Sequence, residues 1–338
     1  MACDARSSAG RLRQELILRN RIYARGRAHV ESYGNLPVIV YAPENGRHGN
    51  FFDPAYEAIA KQPDWMRRFE KVHAQAARSL PKPQHDLNRR WRELDSSMSS
   101  DALLMNIFCT PQVPESAPVC DLLGVESNLS PVFGWKARVP LAHGRFDRTE
   151  VDMRFGSLLI EAKLTEVGFQ TRTAAIVEAY RDFDEVFDRS LLPRIEIPTA
   201  RWMRSSEFPE NESQEYESVV ADPESFSRID SSFRPAGEPG YAGYQLIRGV
   251  LAAHAVDASF CVLHDDRRPD LREEWFSVMA AVKSAAMRVR LKVLTWQELA
   301  QALPGALQEF LDLKYGIVPP GQTPSVVPGF AGVSEYEA

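Results

Sequence analysis

A pair of apolar-alternating segments joined by Gly156-Ser157 constrains the fold of this chain more than any other feature. A Gly-first pair of this kind closes a two-residue type II′ turn between antiparallel strands. The sequence therefore predicts a hairpin of strands 149–155 and 158–164. Because the turn fixes the register, Asp152 is expected to lie directly opposite Glu161.

Strand alternation sorts the side chains of this hairpin onto two faces. One face is wholly apolar and is expected to pack in a core: Val151, Met153, Phe155, Leu158, Ile160, Ala162 and Leu164. The other face carries Asp152, Glu161 and Lys163. Directly opposed residues have Cβ atoms about 4.5 to 5.5 Å apart, and like charges at that distance repel.

Two converging carboxylates are costly in a sheet, but they can share a hard divalent cation such as Mg²⁺ or Mn²⁺. We therefore expect a metal site at Asp152 and Glu161. An ammonium beside it, from Lys163, can orient or help deprotonate a water and can stabilise charge that develops on a phosphate. The pattern indicates phosphodiester hydrolysis.

A structural interpretation of the same residues stays open, namely an exposed hairpin with a Glu150/Lys163 ion pair across its strands. Composition alone predicts about one acid-x-Lys triplet in a chain with this many acids and so few lysines. Two triplets occur, and the second, Asp312-Leu313-Lys314, follows no hairpin. The predicted register, rather than the triplet, therefore carries the hypothesis.

Periodicity outlines the rest of the chain. A mostly helical region is expected at 1–115, a core at 116–315 and a loose Pro/Gly-rich tail at 316–338. Within the first region we predict helices at 11–31, 54–79 and 86–109. Within the core we predict strands at 132–141, 258–264 and 290–294, helices at 171–187, 241–255, 271–287 and 296–314, and an acidic, irregular insertion at about 189–239.

Composition excludes several other classes of protein. The chain has no run approaching the roughly 20 apolar residues that a membrane span needs, and its N-terminus lacks a secretory signal. Its four cysteines are scattered and form no zinc-binding pair. These features predict a cytoplasmic protein without membrane contact. A net charge of -6 does not exclude a nucleic-acid ligand, because clustered cations matter more than the total.

The hairpin resembles the PD-(D/E)xK nuclease superfamily, which includes many restriction endonucleases. In that superfamily an Asp on one strand faces a Glu-x-Lys on the next, here Asp152 and Glu161-Ala162-Lys163. The later helix, with Tyr244-Gln245-Leu246-Ile247-Arg248, resembles the glutamine-bearing helix of many members. Glu150-Val151-Asp152 lacks the proline of the superfamily motif, as other members do. The resemblance implies an α/β protein with an αβββαβ core, in which a mixed central sheet is flanked by helices.

The resemblance also implies roles for particular residues. Asp152 and Glu161 would bind Mg²⁺ or Mn²⁺, Lys163 would be the catalytic lysine, and Gln245 would order the site. Members often add an acid from the helix before the first strand, for which Glu126 is the candidate. Glu150 competes with it because it shares the site face.

The expected substrate is nucleic acid, with DNA favoured over RNA. Tyr244 and Arg248, one helical turn apart, are candidates for holding its phosphates. The sequence is also compatible with a homodimer. A non-catalytic nucleic-acid-binding or scaffold protein that retains the fold is the alternative from another functional class. His264-Asp265-Asp266 could suggest a second metal site, but a turn after a buried strand explains it equally well.

Overall fold

The computed structural model describes residues 5–32, 37–72, 91–148, 150–197 and 237–326. Its helices are α1 (Ala5–Tyr23), α2 (Asp53–Lys61), α3 (Pro63–Phe69), α4 (Ser100–Phe108), α5 (Ala117–Leu123), α6 (Ala174–Val177), α7 (Phe183–Val186), α8 (Tyr244–Ala255), α9 (Pro269–Ala280), α10 (Ala285–Arg288), α11 (Trp296–Ala300) and α12 (Gly305–Tyr315). Its strands are β1 (His29–Glu31), β2 (Ile39–Tyr41), β3 (Pro43–Glu44), β4 (Arg47–His48), β5 (Val132–Lys136), β6 (Val139–Pro140), β7 (Phe146–Asp147), β8 (Glu150–Phe155), β9 (Leu158–Ala162), β10 (Thr171–Thr173), β11 (Arg194–Ile197), β12 (Glu238–Ala242), β13 (Ser259–His264) and β14 (Leu291–Thr295).

A five-stranded mixed sheet forms the centre of the molecule, in the order β14-β13-β9-β8-β5. Strands β9, β13 and β14 are parallel, whereas β8 pairs antiparallel with both β9 and β5. The crossover from β9 to β13 passes through α8, as parallel neighbours require. The predicted α/β class with a mixed central sheet is confirmed. Elements α5, β5, β8, β9, α8 and β13 occur in the predicted order, with further short strands and helices between them.

Helices cover both faces of this sheet. Along β13, Phe260 and Val262 belong to a buried cluster that includes residues of α8 and α9. The intervening Cys261 and Leu263 belong to a second cluster that includes residues of α1, α4 and α12. Strand β13 is therefore apolar on both sides, which is typical of a strand in a sheet with two covered faces.

The N-terminal region contains more strand than the sequence indicated. The helix predicted over 11–31 ends at Tyr23, and the part of that prediction beyond Tyr23 is wrong. Gly26 has a φ of 76°, which ends the helical path, and β1 then pairs with β2. Side chains of α1 and α4 share one buried cluster with Ile160 of β9. The N-terminal region thus supplies part of the core under the hairpin.

Other differences occur where tertiary contacts override local pattern. The helix predicted over 171–187 is replaced by β10 and the short helices α6 and α7, because β10 pairs with β12. The helix predicted over 271–287 is interrupted between α9 and α10, and the one over 296–314 between α11 and α12. The predicted irregular insertion contains β11, which pairs with β12. Its residues 198–236 lie outside the described residues, as do 73–79 and 86–90 of two predicted helices and 327–338 of the predicted tail.

The elements that carry the candidate site agree with the sequence. Strands were predicted over 132–141, 149–155, 158–164, 258–264 and 290–294, and a helix over 241–255. In the structure, the corresponding elements are β5, β8, β9, β13, β14 and α8. Each lies within its predicted range, except that β14 extends one residue further. Within the described ranges, no helix combines the length and the apolarity that crossing a membrane requires.

Candidate active site

The β8–β9 hairpin has the predicted register. Phe155 pairs with Leu158 and Met153 with Ile160, and Gly156 adopts a φ of 60° in the turn. The seven side chains of the predicted apolar face are at most 1% exposed; six of them belong to one buried cluster, whereas Val151 belongs to the cluster on the other face of the sheet. The hairpin turn and the register from Phe155 to Met153 are therefore confirmed, whereas the pairing of Asp152 with Glu161 stays a prediction.

Asp152 interrupts the backbone ladder of the hairpin. Its Oδ2 accepts a hydrogen bond from the backbone N–H of Ala162 at 2.7 Å. The carboxylate thus lies between the two strands, beside the residue that separates Glu161 from Lys163. A carboxylate held by a backbone donor has little freedom to turn away, so its second oxygen keeps a fixed direction.

Glu161 and Lys163 form a buried ion pair, with 2.7 Å between Lys163 Nζ and Glu161 Oε1. The two residues are 2% and 5% exposed. The backbone of Lys163 is held on both sides, because its N–H donates to the Leu263 carbonyl at 2.8 Å and its carbonyl accepts from Trp296 Nε1 at 2.9 Å. The position of the lysine is therefore fixed by strand β13 and helix α11.

The charge state of Lys163 follows from its neighbours. Burial alone would lower the pKa of this ammonium, but the carboxylates of Glu161, Glu166 and Asp152 outweigh burial and raise the pKa above its usual value. Lys163 is consequently a cation at neutral pH. It can stabilise or orient negative groups in this state, but it cannot accept a proton.

For Asp152, in contrast to Lys163, the surroundings disfavour the charged form. Burial raises its pKa well above the usual value, and the nearby charges of Glu161 and Asp101 raise it further, while Lys163 and the Ala162 N–H oppose these effects. The ionised form of Asp152 is therefore destabilised, because burial and the two acids outweigh Lys163 and the Ala162 N–H. A bound cation would relieve this destabilisation, and hard carboxylate oxygens are the donors that Mg²⁺ and Mn²⁺ prefer.

Asp101, at the start of α4, is the acid that sequence reasoning missed. Its charge contributes to raising the pKa of Asp152. Ser99 caps the helix by accepting from the Ala102 N–H at 3.1 Å, and Ser100 Oγ donates to Glu166 Oε1 at 2.6 Å. These contacts hold the start of α4 against the segment after Lys163. The Ser-Ser-Asp helix start was the available signal, but it lies about fifty residues before the hairpin.

Arg68, on α3, compensates part of this acidic charge. It donates to the Asp101 carboxylate and, at 3.3 Å, to Glu150 Oε2. Its side chain crosses the sheet at Gly134, where an added Cβ would lie 3.4 Å from Arg68 Cδ. Gly134 occupies the position opposite Asp152 in the β5–β8 register and has a φ of 61°. The glycine thus leaves room for the arginine beside the site.

The two competing candidates for a third acid lie in different environments. Glu150 is surrounded by cations, because Arg68, Lys71 and Lys136 lie within 3.3 to 3.8 Å of its carboxylate. Glu126 is exposed after α5, and nearby Leu129 packs against the Gly156 turn at the far end of the hairpin. The exposed position of Glu126 gives no support to its predicted role, whereas the charge of Asp101 does act on Asp152.

The model of the family described as "Restriction Endonuclease associating with ARP" matches residues 19–316. The chain belongs to this family. No curated protein and no solved structure matched the chain.

The match begins in α1 and ends just after α12, so the restriction-endonuclease-like family includes both the N-terminal region and the sheet. Arg68, Asp101 and the β8–β9 hairpin all lie within the matched range. The contacts of Arg68 with Glu150 and of Ser100 with Glu166 therefore fall inside one family unit.

Helix α8 of this restriction-endonuclease-like protein begins near the lysine. The backbone N–H of Gln245 donates to the Phe169 carbonyl at 2.9 Å, and the Phe169 ring centroid lies 5.6 Å from Lys163 Nζ. Arg248 is 6% exposed and donates to the Glu150 carbonyl at 3.1 Å. The Tyr244 hydroxyl lies 2.9 Å from the Tyr180 hydroxyl. Site ordering by Gln245 and phosphate binding by Tyr244 and Arg248 remain predictions.

The His264-Asp265-Asp266 sequence has a structural explanation. Asp265 is fully buried and bound by Arg267 at 2.6 Å, which lowers the pKa of Asp265 despite its burial. Lys314, in the second acid-x-Lys triplet, is also buried and donates to the side-chain amides of Asn20 and Asn50. Across the described residues, no group of three His, Cys, Asp or Glu side chains converges closely enough to hold a metal ion unaided.

The raised pKa of Asp152 predicts a gain in stability for Asp152→Asn without divalent cations. A carboxyl whose pKa is higher in the folded state than in the unfolded state binds more protons in the folded state. The free energy of unfolding of the protein therefore falls as the pH rises from about 3.9, the unfolded value, through the raised folded value. Asparagine keeps the oxygen that accepts from Ala162 but removes the charge. We expect the free energy of unfolding at pH 7 in EDTA to rise by at least about 1 kcal/mol.

Urea unfolding measures this change, with the exposed Asp121→Asn as control. Mn²⁺ should stabilise the wild type and leave Asp152→Asn unchanged. A variant less stable than the wild type in EDTA would contradict the electrostatic account of Asp152.

Proposed function

We propose that this protein is a metal-dependent nuclease of the PD-(D/E)xK type, which hydrolyses phosphodiester bonds in DNA. The observation that carries the proposal is the Asp152 carboxylate held on the backbone between Glu161 and Lys163, which themselves form a buried ion pair. Asp152 is fixed by the Ala162 N–H, and Glu161 contacts Lys163 at 2.7 Å. Membership of a restriction-endonuclease-like family supports the same reaction class.

Asp152 and Glu161 are the residues that would hold Mg²⁺ or Mn²⁺. Two carboxylates are a sufficient protein contribution, because Mg²⁺ commonly keeps several waters and takes further oxygens from substrate phosphates. Among the described residues no third acid converges on this pair closely enough to bind a metal, and this requirement does not call for one. When bound, the cation supplies Lewis-acid polarisation of the phosphodiester and of the attacking water.

Lys163 contributes as a fixed positive charge. Its raised pKa keeps it protonated, so its role is to stabilise the negative charge that develops on the phosphoryl oxygens. Its backbone is anchored to β13 and α11, which limits the motion of the ammonium during the reaction. Glu161 would then contact both the cation and Lys163, and it sets their separation.

Supercoiled plasmid cleavage tests this function. The wild type should nick or linearise plasmid in Mg²⁺ or Mn²⁺ but not in EDTA, and Asp152→Asn should lose about 10³-fold or more of this activity. Asp121→Asn is the matched control. Equal cleavage by wild type and Asp152→Asn would refute the assignment, and preferential cleavage of a matched RNA duplex would change the substrate to RNA.

A non-catalytic scaffold is the second candidate, and one observation favours it. Lys163 already neutralises Glu161, and Arg68 already neutralises Asp101, so the fold compensates much of this charge internally. Calorimetric titration with Mn²⁺ separates the two functions. A nuclease should show binding that Asp152→Asn abolishes, whereas a scaffold should show neither such binding nor cleavage.

A further inference from the structure

The chain between β5 and β8 leaves the sheet next to the candidate active site. Lys136, the last residue of β5, pairs with Glu150, the first residue of β8. The intervening residues form a small hairpin in which β6 pairs with β7. Because Glu150 lies two residues before Asp152, both ends of this inserted hairpin join the sheet at the end that carries the candidate active site.

The inserted hairpin is positively charged, unlike the chain as a whole. Acids outnumber basic residues overall, 46 to 40. From 136 to 148, by contrast, there is one acid, Asp147, and the exposed basic residues are Lys136, Arg138, His143, Arg145 and Arg148. The Tyr180 hydroxyl donates to Asp147 at 2.6 Å, so Asp147 is occupied at the base of the hairpin. We call residues 136–148 the cationic hairpin.

The arginines of the cationic hairpin have no acidic partner among the described residues. In the described part of the chain, Arg138, Arg145 and Arg148 make no ion pair, and Lys136 approaches only Glu150, at 3.8 Å. Arg138 lies over the ring of Phe146, 4.5 Å from its centroid, and Phe146 is 43% exposed. Stacking of this kind orients a guanidinium and leaves its N–H groups free to donate.

The base of the cationic hairpin is anchored, whereas its tip is exposed. Val139 is 3% exposed, and backbone hydrogen bonds tie Ala142 to Ala179 at 2.9 Å and Arg181 to Pro140 at 3.0 Å. Residues 142–146 are all exposed. A loop held in this way presents its charges at little cost in conformational entropy when it binds a ligand.

We propose that the cationic hairpin binds the phosphate backbone of duplex DNA and thereby directs it across the acid pair. This inference rests on the proposed function, because it takes Asp152 and Glu161 as the cleavage site. Exposed, unpaired arginines are suited to bidentate phosphate contacts, which fix register without reading sequence. A small hairpin can enter the major groove of B-form DNA, about 12 Å wide, but not the deep, narrow major groove of an RNA duplex.

The salt dependence of binding tests this proposal. We would compare wild type, Arg145→Ala/Arg148→Ala and the control Arg25→Ala/Arg272→Ala, which removes the same charge from exposed positions elsewhere. Binding to a short fluorescent DNA duplex is measured by anisotropy in EDTA over a range of salt concentrations. Each lost phosphate contact should lower the slope of log affinity against log salt by about 0.9, so the hairpin variant should lose about 2.

The control should keep the wild-type slope. A hairpin variant with the wild-type slope, or an equal loss in the control, would overturn the proposal, as would the absence of DNA binding by the wild type. Tighter, hairpin-dependent binding of a matched RNA duplex would overturn the assignment to DNA. Plasmid cleavage distinguishes the two claims: if wild type cleaves and Asp152→Asn does not, the proposed function holds whichever slope the hairpin variant gives. Circular dichroism should show all variants folded, since the substituted side chains are exposed.

Discussion

Lys163→Met should lose about 10²- to 10³-fold of plasmid cleavage while it keeps its affinity for Mn²⁺. The substitution removes the fixed charge that would stabilise the phosphoryl oxygens, and loss of one such group typically costs about 10² to 10³ in rate. Asp152 and Glu161, which would hold the cation, stay in place. Cleavage and calorimetric binding therefore separate the lysine from the carboxylates.

The same substitution should also destabilise the protein without metal. Glu161 is 2% exposed, and loss of its partner leaves a buried, unpaired carboxylate, which commonly costs about 3 to 5 kcal/mol. Mn²⁺ should restore part of this loss, because it supplies a new partner for Glu161. Lys283→Met, at an exposed position, is the control. Wild-type cleavage by Lys163→Met would remove the lysine from the mechanism.

Arg268→Met should produce the second large effect, on folding rather than on chemistry. Arg268 is fully buried, and it binds Asp270 at 2.7 Å and the Leu164 carbonyl at 3.2 Å. Its loss leaves Asp270 unpaired, with a side chain only 7% exposed, and frees the segment directly after Lys163. We expect the free energy of unfolding to fall by about 3 to 5 kcal/mol.

Urea denaturation measures this loss, with Arg272→Met as the control because Arg272 is exposed on α9, the helix that begins directly after Arg268. The control should change stability by less than about 0.5 kcal/mol. A similarly small change in Arg268→Met would mean that Arg268 does not secure the segment after Lys163.

The hairpin could be predicted from the sequence because its determinants are local. Gly156-Ser157 sets the turn, and strict alternation on both sides sets the faces. Parallel pairing of β13 with β9 then buries Glu161 more deeply than a hairpin alone would indicate. The predicted positions of Asp152, Glu161 and Lys163 on one hairpin follow from that local information.

The surroundings of the hairpin could not be predicted in the same way. Asp101 and Arg68 reach it from helices about fifty and eighty residues earlier in the chain, and no spacing rule connects those helices with β8. Glu126 is nearer in sequence, but helix α5 ends at Gly124 in a left-handed conformation, and the chain continues toward the other end of the hairpin. The predicted helix over 171–187 is wrong for a similar reason, since the pairing of β10 with β12 depends on distant residues.

Anomalous diffraction from crystals of Lys163→Met grown with Mn²⁺ would show directly whether the two carboxylates bind a metal, because this variant keeps both of them and should turn over substrate only slowly. We expect an anomalous peak within about 2.3 Å of carboxylate oxygens of both Asp152 and Glu161. A peak bound only elsewhere, or no peak at Mn²⁺ concentrations that support cleavage by the wild type, would contradict the assignment of Asp152 and Glu161 as a metal site.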